Sequence, residues 1–132
     1  MLVEPSAILA VLKEEPDAQI FRDRIASVKS KVVLVVGKVE AAISLSRKLT
    51  NRDAAPGLVT RFCENAEIEV VSVHADIYEE ATTAYRRYGK GTGHPAQLNF
   101  GDCFSYAYAK KHGVPLLFKG EDFSKTDIVS AL

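Results

Sequence analysis

The sequence has no excess of charge of either sign and no long hydrophobic run. Its 132 residues include 17 basic and 17 acidic side chains, which excludes a protein that coats nucleic acid through general basicity. The apolar run Val32–Val36 is far too short to cross a bilayer. The N-terminal residues lack the basic start and the long apolar segment of a signal peptide. We therefore expect a cytoplasmic protein that does not associate with membranes.

Cysteine is also scarce. Cys63 and Cys103 are the two cysteines of the chain, and their spacing does not match a metal-binding motif. Each lies among apolar neighbours, which predicts buried free thiols in a reducing compartment. A disulfide between them remains an alternative.

Length and composition fit a single domain over residues 1–132, since 47% of the residues are hydrophobic and a chain of this size buries a core without disulfides. Short apolar runs alternate with helical patterns, which predicts an α/β fold with a mainly parallel sheet. The predicted strands are Leu2–Glu4, Val32–Val36, Ile68–Val73 and Val114–Phe118. The predicted helices are Ser6–Leu12, Asp17–Ala26, Lys38–Leu49, Leu58–Asn65, Ala75–Tyr88 and the segment from Asn99 to His112.

Four acidic residues stand at comparable places in this pattern. Glu4 ends the first strand, Asp122 follows the last strand, and Glu40 and Asp102 fall in the first turns of predicted helices. In parallel α/β sheets ligands collect outside the carboxyl ends of the strands, so all four side chains are expected at one edge. Carboxylates gathered in one cleft repel each other and require a counter-ion to stay charged. Mg²⁺ or Mn²⁺ prefers such oxygen ligands and promotes hydrolysis of phosphate esters.

Taken singly, three of these acids have simpler explanations. Asp102 lies three residues after Asn99 and is also explained as part of a helix cap. Glu40 is also explained as an ordinary first-turn glutamate, and Glu121 and Asp122 as a solvated turn. Glu4 is harder to explain in this way, because a carboxylate that ends a buried strand needs a partner.

The chain resembles the PIN-domain ribonucleases, and among them the VapC toxins of bacterial toxin–antitoxin pairs. The similarity covers nearly the whole length and is strongest from Tyr85 to Ile128. The segments that resemble one VapC branch most closely are Arg86–Gly91, His94–Ala96, Leu98–Cys103 and Pro115–Phe123.

The resemblance implies a three-layer α/β/α PIN-like fold and Mg²⁺- or Mn²⁺-dependent cleavage of RNA. It also implies a homodimer and inhibition by a VapB-type antitoxin. The four acids of the family fall on Glu4, Glu40, Asp102 and Asp122. We expect Glu4, Asp102 and Asp122 to bind the metal, directly or through water, and Glu40 to orient the attacking water.

Two auxiliary residues and one departure complete the comparison with the family. Ser6 lies where the family often has a hydroxyl near the metal, and Glu121 is positioned to assist or replace Asp122. The family usually has aspartate followed by a small residue at its first site, whereas this chain has Glu4-Pro5. Because glutamate is one methylene longer and Mg²⁺ demands strict geometry, we expect reduced activity or a shift toward Mn²⁺.

RNA affinity is expected to come from phosphate contacts. The candidates are Arg86, Arg87 and Lys90, beside a glycine-rich loop, and Lys119, beside Asp122. Arg86 and Arg87 are also explained as a solvated helix face.

Three other functions are compatible with parts of the sequence. One is a housekeeping PIN nuclease that processes RNA, and another is a catalytically impaired PIN scaffold that only binds a partner. The third is a receiver-like signalling domain. That class requires paired acids after the first strand and a phosphoacceptor aspartate at the end of a central strand, neither of which is present.

Overall fold

The computed structural model describes residues 1–132 and contains a four-stranded sheet in which all neighbouring strands are parallel. The strands are β1 (Leu2–Val3), β2 (Val32–Leu34), β3 (Glu69–Val71) and β4 (Leu116–Leu117). Their order across the sheet is β3-β2-β1-β4. The short β1 is therefore central, and Leu2 pairs with Val32 on one side and Leu116 on the other.

Helices cover both faces of this sheet. They are α1 (Pro5–Leu12), α2 (Ala18–Ser27), α3 (Val35–Ser46), α4 (Ala55–Asn65), α5 (Tyr78–Tyr88) and α6 (Phe100–His112). None of these helices combines the length and the apolar composition needed to span a bilayer.

The hydrophobic core has two halves, one on each face of the sheet, because successive side chains of a strand point to opposite faces. Val3, Val33 and Leu117 join the hydrophobic cluster that includes residues of α1 to α4. Leu2, Leu34 and Leu116 join the cluster that includes residues of α5 and α6. The predicted three-layer α/β/α arrangement with a parallel sheet is thus confirmed.

The strands are shorter than predicted, and the difference that affects the position of an acid lies at the end of β2. Val35 and Val36 were expected in that strand, but they form the first turn of α3. The last pairing of β2 joins Leu34 to Val71, the final residue of β3, so there is no partner strand beyond it. Glu40 consequently lies in the second turn of α3, and the first turn contains no acid. Its explanation as an ordinary first-turn glutamate is wrong.

Other boundaries shift for local reasons. Helix α4 begins at Ala55 instead of Leu58, with Pro56 in its first turn, where the missing N–H of proline costs nothing. The predicted helix Ala75–Tyr88 begins as a 3₁₀ turn over Ala75–Ile77. Helix α6 begins after Asn99, as predicted, and ends at Gly113 with a left-handed φ of 61°.

Cys63 and Cys103 are buried free thiols in the two separate core clusters, which confirms the prediction that both are buried and unpaired.

The carboxylate of Asp127 ties the C-terminal segment to α5 and α6. It accepts hydrogen bonds from the hydroxyls of Tyr106 at 2.6 Å and Tyr88 at 3.3 Å, and from Lys110 Nζ at 3.0 Å. Three residues later Ser130 forms a parallel bridge to Leu116 of β4. The hydrogen bond from Tyr106 is the main reason that the pKa of Asp127 falls to about 2, and Lys110 contributes further.

We predict that Asp127→Asn destabilises the protein near neutral pH and has little effect in acid. A carboxyl with a lowered pKa stabilises the fold above its ordinary value of 3.8 and loses that contribution as the pH falls toward 2. Because the side chain is 48% exposed, solvent screening limits the expected loss at pH 7 to about 1 kcal/mol. Urea denaturation at pH 7 and near pH 2 measures it, with Asp53→Asn as a control at an exposed acid. Equal losses at both pH values would contradict this role of the charge.

Candidate active site

Four acidic side chains from four separate parts of the chain line one cleft of about 190 Å³ at the carboxyl edge of the sheet. They are Glu4 at the end of β1, Glu40 of α3, Asp102 of α6 and Asp122 in the loop after β4. The elements converge here because β1 is central in the parallel sheet, with β2 and β4 on either side of it.

Glu4 is a buried carboxyl at the floor of this cleft, with an exposure of 4%. It is the N-cap of α1, and its Oε2 accepts hydrogen bonds from the backbone N–H of Ser6 at 2.7 Å and from the Ser6 hydroxyl. Its pKa is raised to about 8, chiefly by burial; the hydrogen bonds from Ser6 oppose this rise, and the nearby charges of Asp102 and Glu40 contribute to it. The carboxyl is therefore largely protonated near neutral pH unless a cation is close by.

Asp102 both caps α6 and faces the cleft. Asn99 Oδ1 accepts a hydrogen bond from the backbone N–H of Asp102 at 2.9 Å, and Asp102 Oδ2 accepts one from the backbone N–H of Asn99 at 2.8 Å. This reciprocal pair is a complete capping box. The pKa of Asp102 is raised to about 6, chiefly by burial; the hydrogen bond from the backbone of Asn99 opposes this rise, and the charges of Glu40 and Asp122 contribute to it. The cap uses Oδ2 and leaves Oδ1 available to a ligand.

Glu40 approaches the cleft from α3. Its pKa is raised by partial burial, and its carboxylate lies against the first turn of α6 at Gly101. Ser44, one turn further along α3, also lines the cleft. Sequence reasoning missed Ser44, although the i, i+4 spacing from Glu40 was a usable signal.

Asp122 and Glu121 separate in the structure. Asp122 lines the cleft beside Phe123 and is the N-cap of a 3₁₀ turn over Phe123–Lys125. Glu121 is not part of the cleft lining; its carboxylate accepts a hydrogen bond from the Ser124 hydroxyl at 3.2 Å. Any assistance of Glu121 to Asp122 would require the turn to change its conformation.

The Ser6 hydroxyl connects two of the strand ends that form the cleft. It donates to Glu4 and accepts a hydrogen bond from the backbone N–H of Lys119 at 2.9 Å. Lys119 follows β4, so the hydroxyl joins the end of β1 to the end of β4. This contact fixes the orientation of the Glu4 carboxylate, although Ser6 is only half-buried.

The ammonium of Lys119 is already paired with acids at the rim. Its Nζ lies 2.5 Å from Glu15 Oε2 and 2.6 Å from Asp17 Oδ1, in the turn between α1 and α2. Hydrogen bonds to Asp17 and Glu15 raise the pKa of Lys119, and the one from Lys119 lowers the pKa of Asp17. Sequence reasoning missed this pairing, because more than 100 positions separate Lys119 from its partners and no local pattern connects them.

The unusual Glu4-Pro5 pair is accommodated by a glycine. A Cβ at Gly37 of α3 would come within 3.2 Å of Pro5 Cγ and 3.3 Å of Pro5 Cδ, so the proline ring occupies the space that a side chain at position 37 would need. Proline also suits the first turn of α1, since no helical hydrogen bond is required from its nitrogen. The contact seats Pro5 and holds Glu4 at the helix start.

The remaining predicted RNA-binding residues are exposed near the start of α6. Arg86 and Arg87 end α5, and the backbone N–H of Lys90 donates to the carbonyl of Leu98 at 2.9 Å, just before the cap of α6. The Arg86 guanidinium donates to the Thr83 hydroxyl at 3.1 Å. All three basic side chains remain open to solvent.

The donors in the cleft fit a divalent metal in type and charge. Carboxylate oxygens are the ligands that Mg²⁺ and Mn²⁺ prefer, and burial opposes ionisation of Glu4, Asp102 and Glu40 in the absence of a cation. No three His, Cys, Asp or Glu side chains form a preassembled ligand set. Mg²⁺ does not require one, since it is usually held by one or two carboxylates and keeps several waters.

Known proteins resemble the chain over nearly its whole length. The PIN domain family matches residues 1–129. A VapC ribonuclease of Mycobacterium bovis is 40% identical over 132 residues, covering 98% of this chain and 97% of that protein. A ribonuclease VapC of Mycolicibacterium smegmatis is 41% identical over 132 residues, covering 98% of each.

Solved structures support the fold at lower sequence identity. VapC20 of Mycobacterium tuberculosis, a toxin that cleaves the sarcin-ricin loop, aligns with a TM-score of 0.78 at 21% identity and covers 97% of this chain and 95% of that one. A toxin–antitoxin complex from Klebsiella pneumoniae aligns with a TM-score of 0.67 at 16% identity, covering 99% and 97%. The family match and the full-length relatives confirm the resemblance seen in the sequence. The chain therefore belongs to the PIN-domain family and, within it, to the VapC ribonucleases.

Proposed function

We propose that this protein is a cytoplasmic, Mg²⁺- or Mn²⁺-dependent endoribonuclease that acts, as one PIN domain over residues 1–132, as the toxin of a VapBC-type pair. One observation carries the proposal beyond family membership. Four carboxylates share a single cleft, while the ammonium of Lys119 at its rim is engaged by Glu15 and Asp17. A divalent cation supplies the missing positive charge.

The roles of the acids follow from their surroundings. Glu4, Asp102 and Asp122 would hold the metal, and the Ser6 hydroxyl keeps the Glu4 carboxylate oriented. A bound Mg²⁺ or Mn²⁺ supplies stabilisation of the charge that develops on the phosphodiester. Glu40 would orient the attacking water, because its carboxylate lines the cleft from α3, a different element from those that carry the other acids. Burial raises the pKa values of Glu4, Asp102 and Glu40 and makes these three carboxyls better proton acceptors than ordinary acids.

RNA would approach along the exposed basic residues. The phosphates would be contacted from the last turn of α5 by Arg86 and Arg87, and from the following loop by Lys90. The backbone of Lys90 is hydrogen-bonded to Leu98, just before the start of α6, which leads to the cleft. Lys119 contributes by exchanging Glu15 and Asp17 for a phosphate, a change that the low net strength of partly exposed ion pairs permits. Binding would weaken as the salt concentration rises, since each phosphate contact releases counter-ions.

The decisive experiment expresses the chain alone and together with the product of any small reading frame found immediately upstream of its gene, and sequences RNA ends. Growth arrest with new 5′ ends, relieved by the neighbouring product, supports a toxin with a VapB-type antitoxin. In parallel, the purified protein is incubated with RNA in Mg²⁺, Mn²⁺ or EDTA. Cleavage that persists in EDTA would contradict metal dependence, and cleavage without growth arrest would favour a housekeeping nuclease.

A catalytically impaired scaffold is a second candidate, favoured by two observations. Glu4 replaces the shorter aspartate that is usual in the family, and the acids are not preassembled as a ligand set. A titration with Mn²⁺ followed by the cleavage assay separates the two functions. An active enzyme binds the metal and cuts RNA, whereas a scaffold does not cut RNA under any metal condition.

We further propose that the protein forms a homodimer through an apolar surface shared by α3, α5 and α6. Its exposed residues are Val39, Ile43, Tyr78, Tyr85 and Phe100. Two adjoining grooves share Phe100 and Phe104 and make this surface continuous. One of the grooves is also lined by Glu40 and Ser44, so the surface borders the acidic cleft. A continuous exposed apolar surface is typical of a site of protein–protein interaction.

Phe100→Asp is expected to convert the dimer to a monomer. Phe100 is 79% exposed at the centre of the apolar surface, and a charge buried at an interface centre typically costs several kcal/mol. Analytical ultracentrifugation measures the shift in mass. Ile20→Asp is the matched control, because Ile20 is also an exposed apolar residue, at 57%, but belongs to α2. If both variants keep the mass of the parent dimer, the interface lies elsewhere.

A further inference from the structure

Gly101 occupies the first turn of α6, between the cap residue Asn99 and the cleft acid Asp102. Its backbone does not have the positive φ that favours glycine, in contrast to Gly113 at the other end of the helix. Glycine lowers helix stability by up to about 1 kcal/mol relative to alanine. The backbone conformation therefore does not explain why glycine stands at this position.

The space around Gly101 does explain it. A Cβ at position 101 would collide with Oε2 of Glu40, while the other nearest atoms, Asn99 Oδ1 and Glu40 Cδ, would lie at 3.4 Å. The Glu40 carboxylate thus occupies the volume that any larger residue would fill. No backbone atom is among these close neighbours, so a side chain at position 101 would displace the end of one flexible side chain and leave the helix packing unchanged.

No hydrogen bond from the protein fixes the Glu40 carboxylate in this place. Partial burial is the only cause of its raised pKa, without a contribution from a hydrogen bond to protein. The exposed N–H groups and the dipole at the start of α6 favour a negative charge there, but only at close range. The position of Glu40 relative to Asp102 consequently depends on how closely it can approach the helix.

We propose that Gly101 is a positioning residue that admits the Glu40 carboxylate to the first turn of α6 and so sets its separation from Asp102. The inference rests on the proposed function of the cleft as a metal site. A side chain at position 101 would turn Glu40 outward and separate the two acids. The cleft would then lose part of the negative charge that attracts a cation, although the fold would remain intact.

The test compares Gly101→Ala with Gly57→Ala. Gly57 lies in α4, and a Cβ there would meet no atom within 4 Å, so it is a matched helical control. Both variants are expected to melt at or above the temperature of the parent, because alanine favours the helix. Isothermal titration with Mn²⁺ alone is expected to show about tenfold weaker binding for Gly101→Ala, with a comparable loss of RNA cleavage. Gly57→Ala is expected to match the parent in both assays.

A double variant identifies the route of the effect. In a Glu40→Ala background, adding Gly101→Ala is expected to cause no further loss of Mn²⁺ affinity, because the group that it displaces is already gone. A further loss of similar size in that background would overturn the inference, since the substitution would then act through Asp102 or the helix itself. If the parent binds Mn²⁺ and the single variant binds it with unchanged affinity, the inference is also overturned.

A crystal structure of each metal-free variant separates this inference from the proposed function. Glu40 is expected to rotate away from α6 in Gly101→Ala and to keep its place in Gly57→Ala. A Glu40 carboxylate that stays against the first turn of α6 in Gly101→Ala overturns the positioning role, whatever the metal assays show. A parent protein that binds no Mn²⁺ and cuts no RNA, with Glu40 displaced as expected, would overturn the proposed function instead.

Discussion

Asp102→Asn is expected to reduce RNA cleavage by at least about 100-fold. This loss exceeds the roughly 10- to 100-fold loss that follows removal of a residue that contacts a metal ligand but not the metal itself. The substitution removes a negative charge from the cleft and replaces one carboxylate oxygen by a nitrogen that does not bind Mg²⁺. The asparagine oxygen still accepts the hydrogen bond from the backbone N–H of Asn99, so the capping box of α6 is retained. At neutral pH the variant should therefore melt at or above the temperature of the parent, because it keeps the cap and no longer contains an acid whose pKa is raised by burial.

Cleavage kinetics and thermal melting of the same preparations measure these two effects. Asp102→Ala separates the roles of the residue, because it removes the ligand and the cap together and should cost about 1 kcal/mol of stability in addition. Asp53→Asn, at an exposed acid outside the cleft, controls for loss of charge alone. If Asp102→Asn cuts RNA as fast as the parent, the assignment of the active site is wrong.

Glu4→Gln is expected to raise the melting temperature of the metal-free protein at pH 8 by several degrees and to abolish cleavage. The pKa of Glu4 rises from an ordinary value of 4.5 to about 8 on folding, so the folded protein retains a proton that the unfolded chain releases. The parent is thus most stable with respect to this group below pH 4.5, and it loses that stability as the pH rises toward 8. Glutamine does not titrate and accepts the same hydrogen bonds from Ser6, so the variant escapes this loss.

Melting curves between pH 5 and pH 8, with and without Mn²⁺, test this second prediction. The parent should lose stability over this range when metal-free and recover it on addition of Mn²⁺, which binds the ionised carboxylate. Glu4→Gln should show a flatter profile and a smaller response to the metal. If the difference in stability between the metal-free parent and Glu4→Gln is the same at pH 8 as at pH 5, folding does not raise the pKa of Glu4. This trade of stability for activity is common where a protein confines charge for function.

Short-range patterns in the sequence were sufficient to predict the layers of the fold, and they led to the hypothesis of metal-assisted phosphate-ester hydrolysis. Alternation and helical periodicity predicted an α/β protein, and the position of Glu4 after a buried strand drew attention to an acid in need of a partner. The long motifs from Arg86 to Phe123 identified the family, which the full-length relatives confirm. A receiver-like domain is excluded by the same comparison.

The boundaries of the short strands were harder to predict from the sequence. Val35 and Val36 are β-branched and apolar, and their intrinsic preference favours a strand. They form a helical turn because pairing of β2 stops opposite Val71. The start of α3 moved accordingly, and Glu40 moved from the expected first turn to the second.

Residue types, their spacing along the chain and the rule that parallel strands end at a common edge were enough to name four acids and the cation that would suit them. The partners of Lys119, the double role of Asp102 and the close approach of Glu40 to Gly101 emerged only from the folded chain. These features depend on separations of a few ångströms between segments far apart in sequence. Helix packing sets such separations, whereas periodicity records only which face of each element is buried.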